Sequence, residues 1–162
     1  MVTAPPVRRR LVGSALRRYR ENLGYALEDA AREIAGAKDV RLRFNLDRQL
    51  RALPAEVEYN LLRIAREAMT NAVKHSGARS IEVVLESYPD ALSLRVKDDG
   101  LGFSREGNGG SGGGPGHYGL IGMKERAAQI GAEIDLNSQP GSGTTVSVRL
   151  PVRERVLADA AK

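Results

Sequence analysis

Asp98-Asp99-Gly100-Leu101-Gly102-Phe103 closes an alternating apolar run, and Gly116-His117-Tyr118-Gly119-Leu120-Ile121-Gly122-Met123 leads into a helical one. Of the chain's 18 glycines, ten lie from Gly100 to Gly119. Glycine at this density favours neither a packed strand nor a helix. The stretch therefore reads as a flexible flap, about residues 103–118, over a small-molecule site.

Periodicity on either side of the flap predicts the architecture. Upstream, Leu23, Leu27, Ala30, Ala31 and Ile34 recur at helical spacing over 22–35, with Gly36 as the stop. Residues 40–46 alternate as a half-buried strand, and Pro54 suits the first turn of a long helix reaching His75 and ending near Gly77. Strands are expected at 81–85 and 92–96, joined around Pro89-Asp90. Downstream, 120–130 reads as a helix stopped by Gly131, and 134–137 and 144–150 as strands around Pro140-Gly141. The expected fold class is α+β, a two-layer sandwich of about three helices on one face of a mixed, mostly antiparallel sheet of about five strands.

A chain of 162 residues fits one domain, here 22–151, between a leader or linker at 1–21 and a tail at 152–162. With no Trp, two Phe and five Tyr, aliphatic residues must fill the core. With no Cys, disulfides, thiolate metal sites and a Cys nucleophile are excluded. The net charge of +5 is concentrated in the leader, where Arg8, Arg9, Arg10, Arg17, Arg18 and Arg20 face only Glu21. Without a base-stacking aromatic cluster, this arm reads as a solvated leader and nucleic acid is not an expected partner. The sequence contains no apolar run of the roughly 20 residues that cross a bilayer. A cytoplasmic location without membrane contact is expected, including that of the cytoplasmic part of a larger membrane-bound sensor.

The long helix carries one chemical signal. Glu67, Asn71 and Lys74 share a stripe, while Leu62, Ala65, Met69, Ala72 and Val73 point the other way. Such a row is often only a solvated face. It also offers an amide oxygen suited to Mg²⁺ and an ammonium that neutralises phosphate charge. The second signal is Asp98 at a strand end, either an ordinary turn residue or an acceptor for an exocyclic amine such as adenine N6. Gly100 and Gly102 would let backbone approach a flat base.

In order, Glu67-x-x-x-Asn71-x-x-Lys74-His75, Asp98-x-Gly100-x-Gly102, Gly116-His-Tyr-Gly119-Leu120-Ile-Gly-Met123-Lys-Glu125-Arg126-Ala and Gly141-Ser-Gly143-Thr144 resemble the N, G1, G2 and final Gly-Thr boxes of GHKL ATPases, the Bergerat fold. The Asp-Asp-Gly-Leu-Gly-Phe turn and the Gly-Met-Lys-Glu-Arg-Ala helix are similar to catalytic domains of sensor histidine kinases of the NarX/DesK type. The resemblance spans about 22–151.

It implies ATP and Mg²⁺ as cofactors and γ-phosphoryl transfer to a histidine. Asn71 would coordinate the metal, Glu67 would act through water or the metal, and Lys74 and His75 would lie near the phosphates. Asp98 would fix adenine, with Gly100 and Gly102 shaping the pocket and Thr144 completing it through water. Gly116, Gly119 and Leu120 would wrap the phosphates at a helix N-terminus, an arrangement that peptide N–H groups favour. Met123 and Phe103 are expected to pack rather than bind.

Two departures qualify the resemblance. The only histidines, His75 and His117, both lie inside ATP-site motifs. The acceptor histidine is therefore expected on a separate dimerisation domain, in cis in a longer protein or in trans, with a response regulator as the downstream partner. Two residues, His117 and Tyr118, separate Gly116 from Gly119 where one spacer is usual. Gly114-Pro115-Gly116-His117-Tyr118-Gly119 fits a dinucleotide fingerprint but follows a glycine run rather than a strand, and no P-loop sequence occurs. Two alternatives stand beside the kinase: an anti-sigma-type serine kinase of the same fold, and a non-catalytic nucleotide-responsive module.

Overall fold

The computed structural model describes residues 23–36, 38–50, 52–104 and 117–151. The expected leader and tail, most of the flap and Gly116 lie outside these residues. The described elements run α1 (Leu23–Ala35), β1 (Arg41–Leu46), α2 (Ala55–Lys74), β2 (Ser80–Ser87), β3 (Ala91–Asp98), α3 (His117–Gln129), β4 (Glu133–Ser138) and β5 (Thr144–Pro151). These are the helices and strands that periodicity predicts, with boundaries moved by a few residues. The largest shift is at α3, which begins at His117 rather than Leu120.

The sheet order is β1-β2-β3-β5-β4. β1 pairs parallel to β2, and the other three pairs are antiparallel. The parallel pair follows from the connection, since α2 lies between β1 and β2 and only a crossover of that length can return the chain in the same direction. Tight turns join β2 to β3 and β4 to β5, so those ladders are antiparallel.

Strand alternation places one face against the helices. Ile81, Val83 and Leu85 of β2, Leu92, Leu94 and Val96 of β3, and Val146, Val148 and Leu150 of β5 are all buried. They meet Leu61, Ile64, Ala65, Ala68, Met69 and Ala72 of α2 and Leu23, Leu27 and Ala31 of α1 in one aliphatic core. The opposite face carries cross-strand neighbours of opposite charge, with Arg43 beside Glu82 and Glu82 beside Lys97. That pattern keeps it solvated and stabilises the pairing.

Local chemistry fixes the helix that matters most. α2 starts after Pro54, carries Glu56 and Glu58 in its first turn and ends on Lys74, all favourable to its dipole. At its end His75 and Ser76 both donate their N–H groups to Asn71 O, at 2.9 and 3.1 Å, and Gly77 turns the chain at φ +62°. Lys38 Nζ donates to Val73 O at 2.9 Å, capping another terminal carbonyl. Arg66 grips Glu33 through two bonds of 3.0 Å, tying α1 to α2 and holding the Glu33 carboxyl below its usual range.

Candidate functional site

β3 sets the position of Asp98. Leu92, Leu94 and Val96 alternate into the core, so Asp98 also faces the helices and is only 7% exposed. The carboxylate is buried at the sheet's end, beside the C-terminus of α2. Its Oδ1 accepts the Gly100 N–H at 2.8 Å and the Ser76 hydroxyl at 3.1 Å. Burial pushes the Asp98 carboxyl above the ordinary aspartate range; the Gly100 N–H, the Ser76 hydroxyl and the Thr144 peptide N–H oppose that rise, and the neighbouring Asp99 charge adds to it. Asp99 has a different task. Its Oδ1 accepts the peptide N–H groups of Arg79 and Ser80, both at 2.8 Å, fastening the turn to the start of β2.

The loop between β4 and β5 interlocks with this turn. Gly141 N–H donates to Leu101 O at 2.7 Å, and Ser138 Oγ accepts the Phe103 N–H at 2.9 Å while contacting Thr144 Oγ1 at 2.9 Å. Gly143 adopts φ +76°, and a Cβ there would strike the carbonyl of Asp98. A side chain is excluded twice over, by backbone conformation and by space. Gly143→Ala is expected to destabilise the protein by about 2–3 kcal/mol, combining left-handed strain with a backbone clash. Urea unfolding measures this, and an unchanged midpoint would contradict it.

On α2, Glu67 and Asn71 are half-buried and Lys74 and His75 exposed. Among the described residues no hydrogen bond is made to the side chains of Glu67 or Asn71. α3 crosses this face. Gly119 lies directly against the Glu67 carboxylate, where a Cβ would overlap Oε1. A glycine at this point of the helix lets its backbone rest on Glu67. Further along, Met123 and Ala127 are buried and Leu120 packs against the core, as expected of Met123.

The structure thus brings Glu67, Asn71 and Gly119 together on one side and Asp98, Gly100, Gly102 and Thr144 on the other, with the end of α2 between them. A long helix presenting amide and carboxylate, a buried carboxylate at a strand end and two interlocked glycine turns frame one candidate site.

Residues 56–154 match the family described as histidine kinase-, DNA gyrase B- and HSP90-like ATPases. The chain belongs to this ATPase family. The sensor protein VraS of Staphylococcus haemolyticus is 33% identical over 132 residues, covering 82% of this chain and 36% of that protein. VraS of Staphylococcus aureus strain COL is 32% identical over 134 residues. The chain therefore spans about a third of the length of the curated relatives it matches.

Among solved structures, a histidine kinase domain from the Erythrobacter litoralis EL346 blue-light activated kinase superposes with TM-score 0.67 at 22% identity, covering 85% of this chain and 65% of that one. The mycobacterial sensor histidine kinase MprB superposes with TM-score 0.60 at 18% identity, covering 82% and 95%. At these identities the superpositions speak to the fold, which the ATPase domain shares with them. Among the described residues no helix is long and apolar enough to cross a membrane.

Three residues that hold this candidate site together escape sequence reasoning. Ser76 joins α2 to Asp98, Asp99 clamps the turn, and Ser138 ties Phe103 to the Gly143–Thr144 corner. Ser138 left one trace, a polar residue on a strand whose apolar positions alternate. Ser76 and Asp99 left none beyond their adjacency to the quoted motifs.

Proposed function

We propose that this ATPase domain positions Mg·ATP for transfer of the γ-phosphoryl group to a histidine on a separate dimerisation domain, which then supplies a response regulator. The observation that carries the reading is the buried Asp98, held by Ser76 and Gly100 at the foot of the helix that bears Asn71. The Gly100 and Ser76 bonds both fall on Oδ1. A carboxylate has about four acceptor positions, so with the Thr144 peptide N–H counted as well it keeps capacity for adenine N6, and the Thr144 corner closes the base pocket.

The donor set on α2 fits Mg²⁺. Asn71 and Glu67 supply hard oxygens, and no group of three or more His, Cys, Asp or Glu residues suited to a metal exists among the described residues. A single amide with a nearby carboxylate suits an ion that keeps waters and is completed by phosphate oxygens. When bound, the metal offsets phosphate charge. Asn71 would hold it, Glu67 would orient its water, and Lys74 and His75, exposed at the helix end, would meet the phosphates. The Gly116–Leu120 segment would close over them with peptide N–H groups.

In the transfer, the histidine imidazole forms a bond to Pγ as the bridging Pγ–O bond breaks, ADP leaves and the imidazole proton passes to solvent. The protein's part is positioning and charge stabilisation. Label from γ-³²P-ATP should appear on a histidine-bearing dimerisation domain as an acid-labile, base-stable adduct, whereas the chain alone hydrolyses ATP slowly. Label on serine of a partner would favour the anti-sigma-type kinase. Binding of ATP without label on any partner would favour a non-catalytic module.

A further inference from the structure

Ser76 uses every polar atom to join α2 to the base-side turn. Its N–H donates to Asn71 O at 3.1 Å, its carbonyl accepts the Leu101 N–H at 2.9 Å, and its hydroxyl lies 2.8 Å from Ala72 O and 3.1 Å from Asp98 Oδ1. The single hydroxyl proton is shared between those two acceptors. Gly100 presses so closely on Ser76 that a Cβ at Gly100 would overlap the serine's Oγ, Cβ and O. A residue that merely ended the helix would need only the first of these contacts.

We propose that Ser76 is the positioning residue that sets the Asp98 carboxylate in register with the Asn71 helix, and thereby determines selectivity for adenine; this rests on Asp98 being the base reader. The Gly100 N–H orients the carboxylate relative to its own turn and the Thr144 peptide N–H relative to β5, but neither ties it to α2. Ser76 supplies the second donor to the same oxygen from the helix that bears Asn71, so the base and phosphate ends of one ligand are located from one element. Bonds from two structural units restrict the carboxylate far more than two from one.

The experiment compares ADP with IDP, which carries a carbonyl oxygen in place of the exocyclic amine, by calorimetry on the full chain, Ser76→Ala, Ser76→Cys and Asp98→Asn. Ser76→Ala should weaken ADP about fivefold and IDP by less than about twofold, the scale of one ordinary hydrogen bond, because the hydroxyl proton is shared with Ala72 O. A general structural defect would weaken both equally. In Ser76→Ala the acid limb of ADP affinity should also move to higher pH, because a donor that favours ionised Asp98 is gone; Asp99, the charged group acting on Asp98, is unchanged. Ser76→Cys, a weaker donor of similar shape, should fall between parent and alanine, and serves if the alanine variant does not fold. If Asp98→Asn collapses the ADP/IDP ratio while both Ser76 variants keep the parent's ratio and pH limb, the role of Ser76 is overturned. If Asp98→Asn leaves the ratio unchanged, Asp98 is not the base reader and both proposals fall.

Discussion

Asn71→Ala should abolish Mg-dependent phosphoryl transfer while leaving the domain folded. The two halves of this expectation have separate causes. Asn71 is half-buried on the same α2 stripe as Glu67 and makes no side-chain hydrogen bond among the described residues, so its truncation removes no hydrogen bond between them. A substitution of that kind shifts stability by about 0.5 kcal/mol or less. Removing a preorganised ligand from the charge-stabilising group of a phosphoryl-transfer site typically costs 10²–10³-fold in rate, and transfer should fall by at least about 100-fold.

Asn71→Asp sharpens the test. It keeps an oxygen ligand but sets a second carboxylate one helical turn from Glu67 and beside the triphosphate, so transfer should fall as far as in the alanine variant. Rates of label transfer to a matched dimerisation domain, beside urea unfolding of each variant, measure both halves. Transfer at the parental rate in either variant would remove Asn71 from the site.

The sequence made the two layers legible because burial imposes simple periods. In β3 the alternation of Leu92, Leu94 and Val96 extends to Asp98 and places its carboxylate in the layer interface. In α2 the 3.6-residue period separates Met69 and Ala72, which are buried, from Asn71 and Lys74, which are not. The glycine boxes were legible for the same steric reason: Gly100, Gly119 and Gly143 stand where a Cβ would meet another part of the site.

What periodicity does not encode is how separate pieces are tied together. A serine hydroxyl at Ser76 or Ser138 has a role only through what folding brings to it, Asp98 in one case, Phe103 and Thr144 in the other. Nor does a strand pattern name its partner, and the parallel β1–β2 pair emerges from the length of the α2 crossover. No local signal shows that Gly119 rests against Glu67, a contact 52 positions distant in sequence.

Asp98→Asn separates binding from stability in the opposite sense to most buried substitutions. The parental carboxyl is raised above its ordinary range, chiefly by burial, so ionised Asp98 opposes folding at neutral pH. A group whose folded pKa is raised contributes stability that is fully present below the unfolded pKa and is lost as pH rises through the folded one. The asparagine amide oxygen can still accept from Gly100 and Ser76, the side chain carries no charge to desolvate, and the Thr144 N–H, the smallest of the three donor effects on Asp98, is the one contact given up. The nucleotide-free variant should therefore be at least as stable as the parent at neutral pH, with the parent regaining ground on acidification.

Nucleotide binding should move the other way. The second atom of the asparagine amide is a donor, facing the exocyclic amine donor of adenine, and a site built to accept that group loses more than one hydrogen bond when donor meets donor. A fall of about 100-fold in ADP affinity is expected on that ground. In the parent the same logic predicts that ADP affinity declines on acidification at a pH above the ordinary aspartate range, as Asp98 becomes protonated and gives up acceptor capacity, whereas the asparagine variant shows no such limb. Calorimetric titrations of both proteins across that range, paired with thermal unfolding without nucleotide, read the two predictions independently. A variant that loses stability and affinity together would mean that Asp98 serves the fold rather than the base.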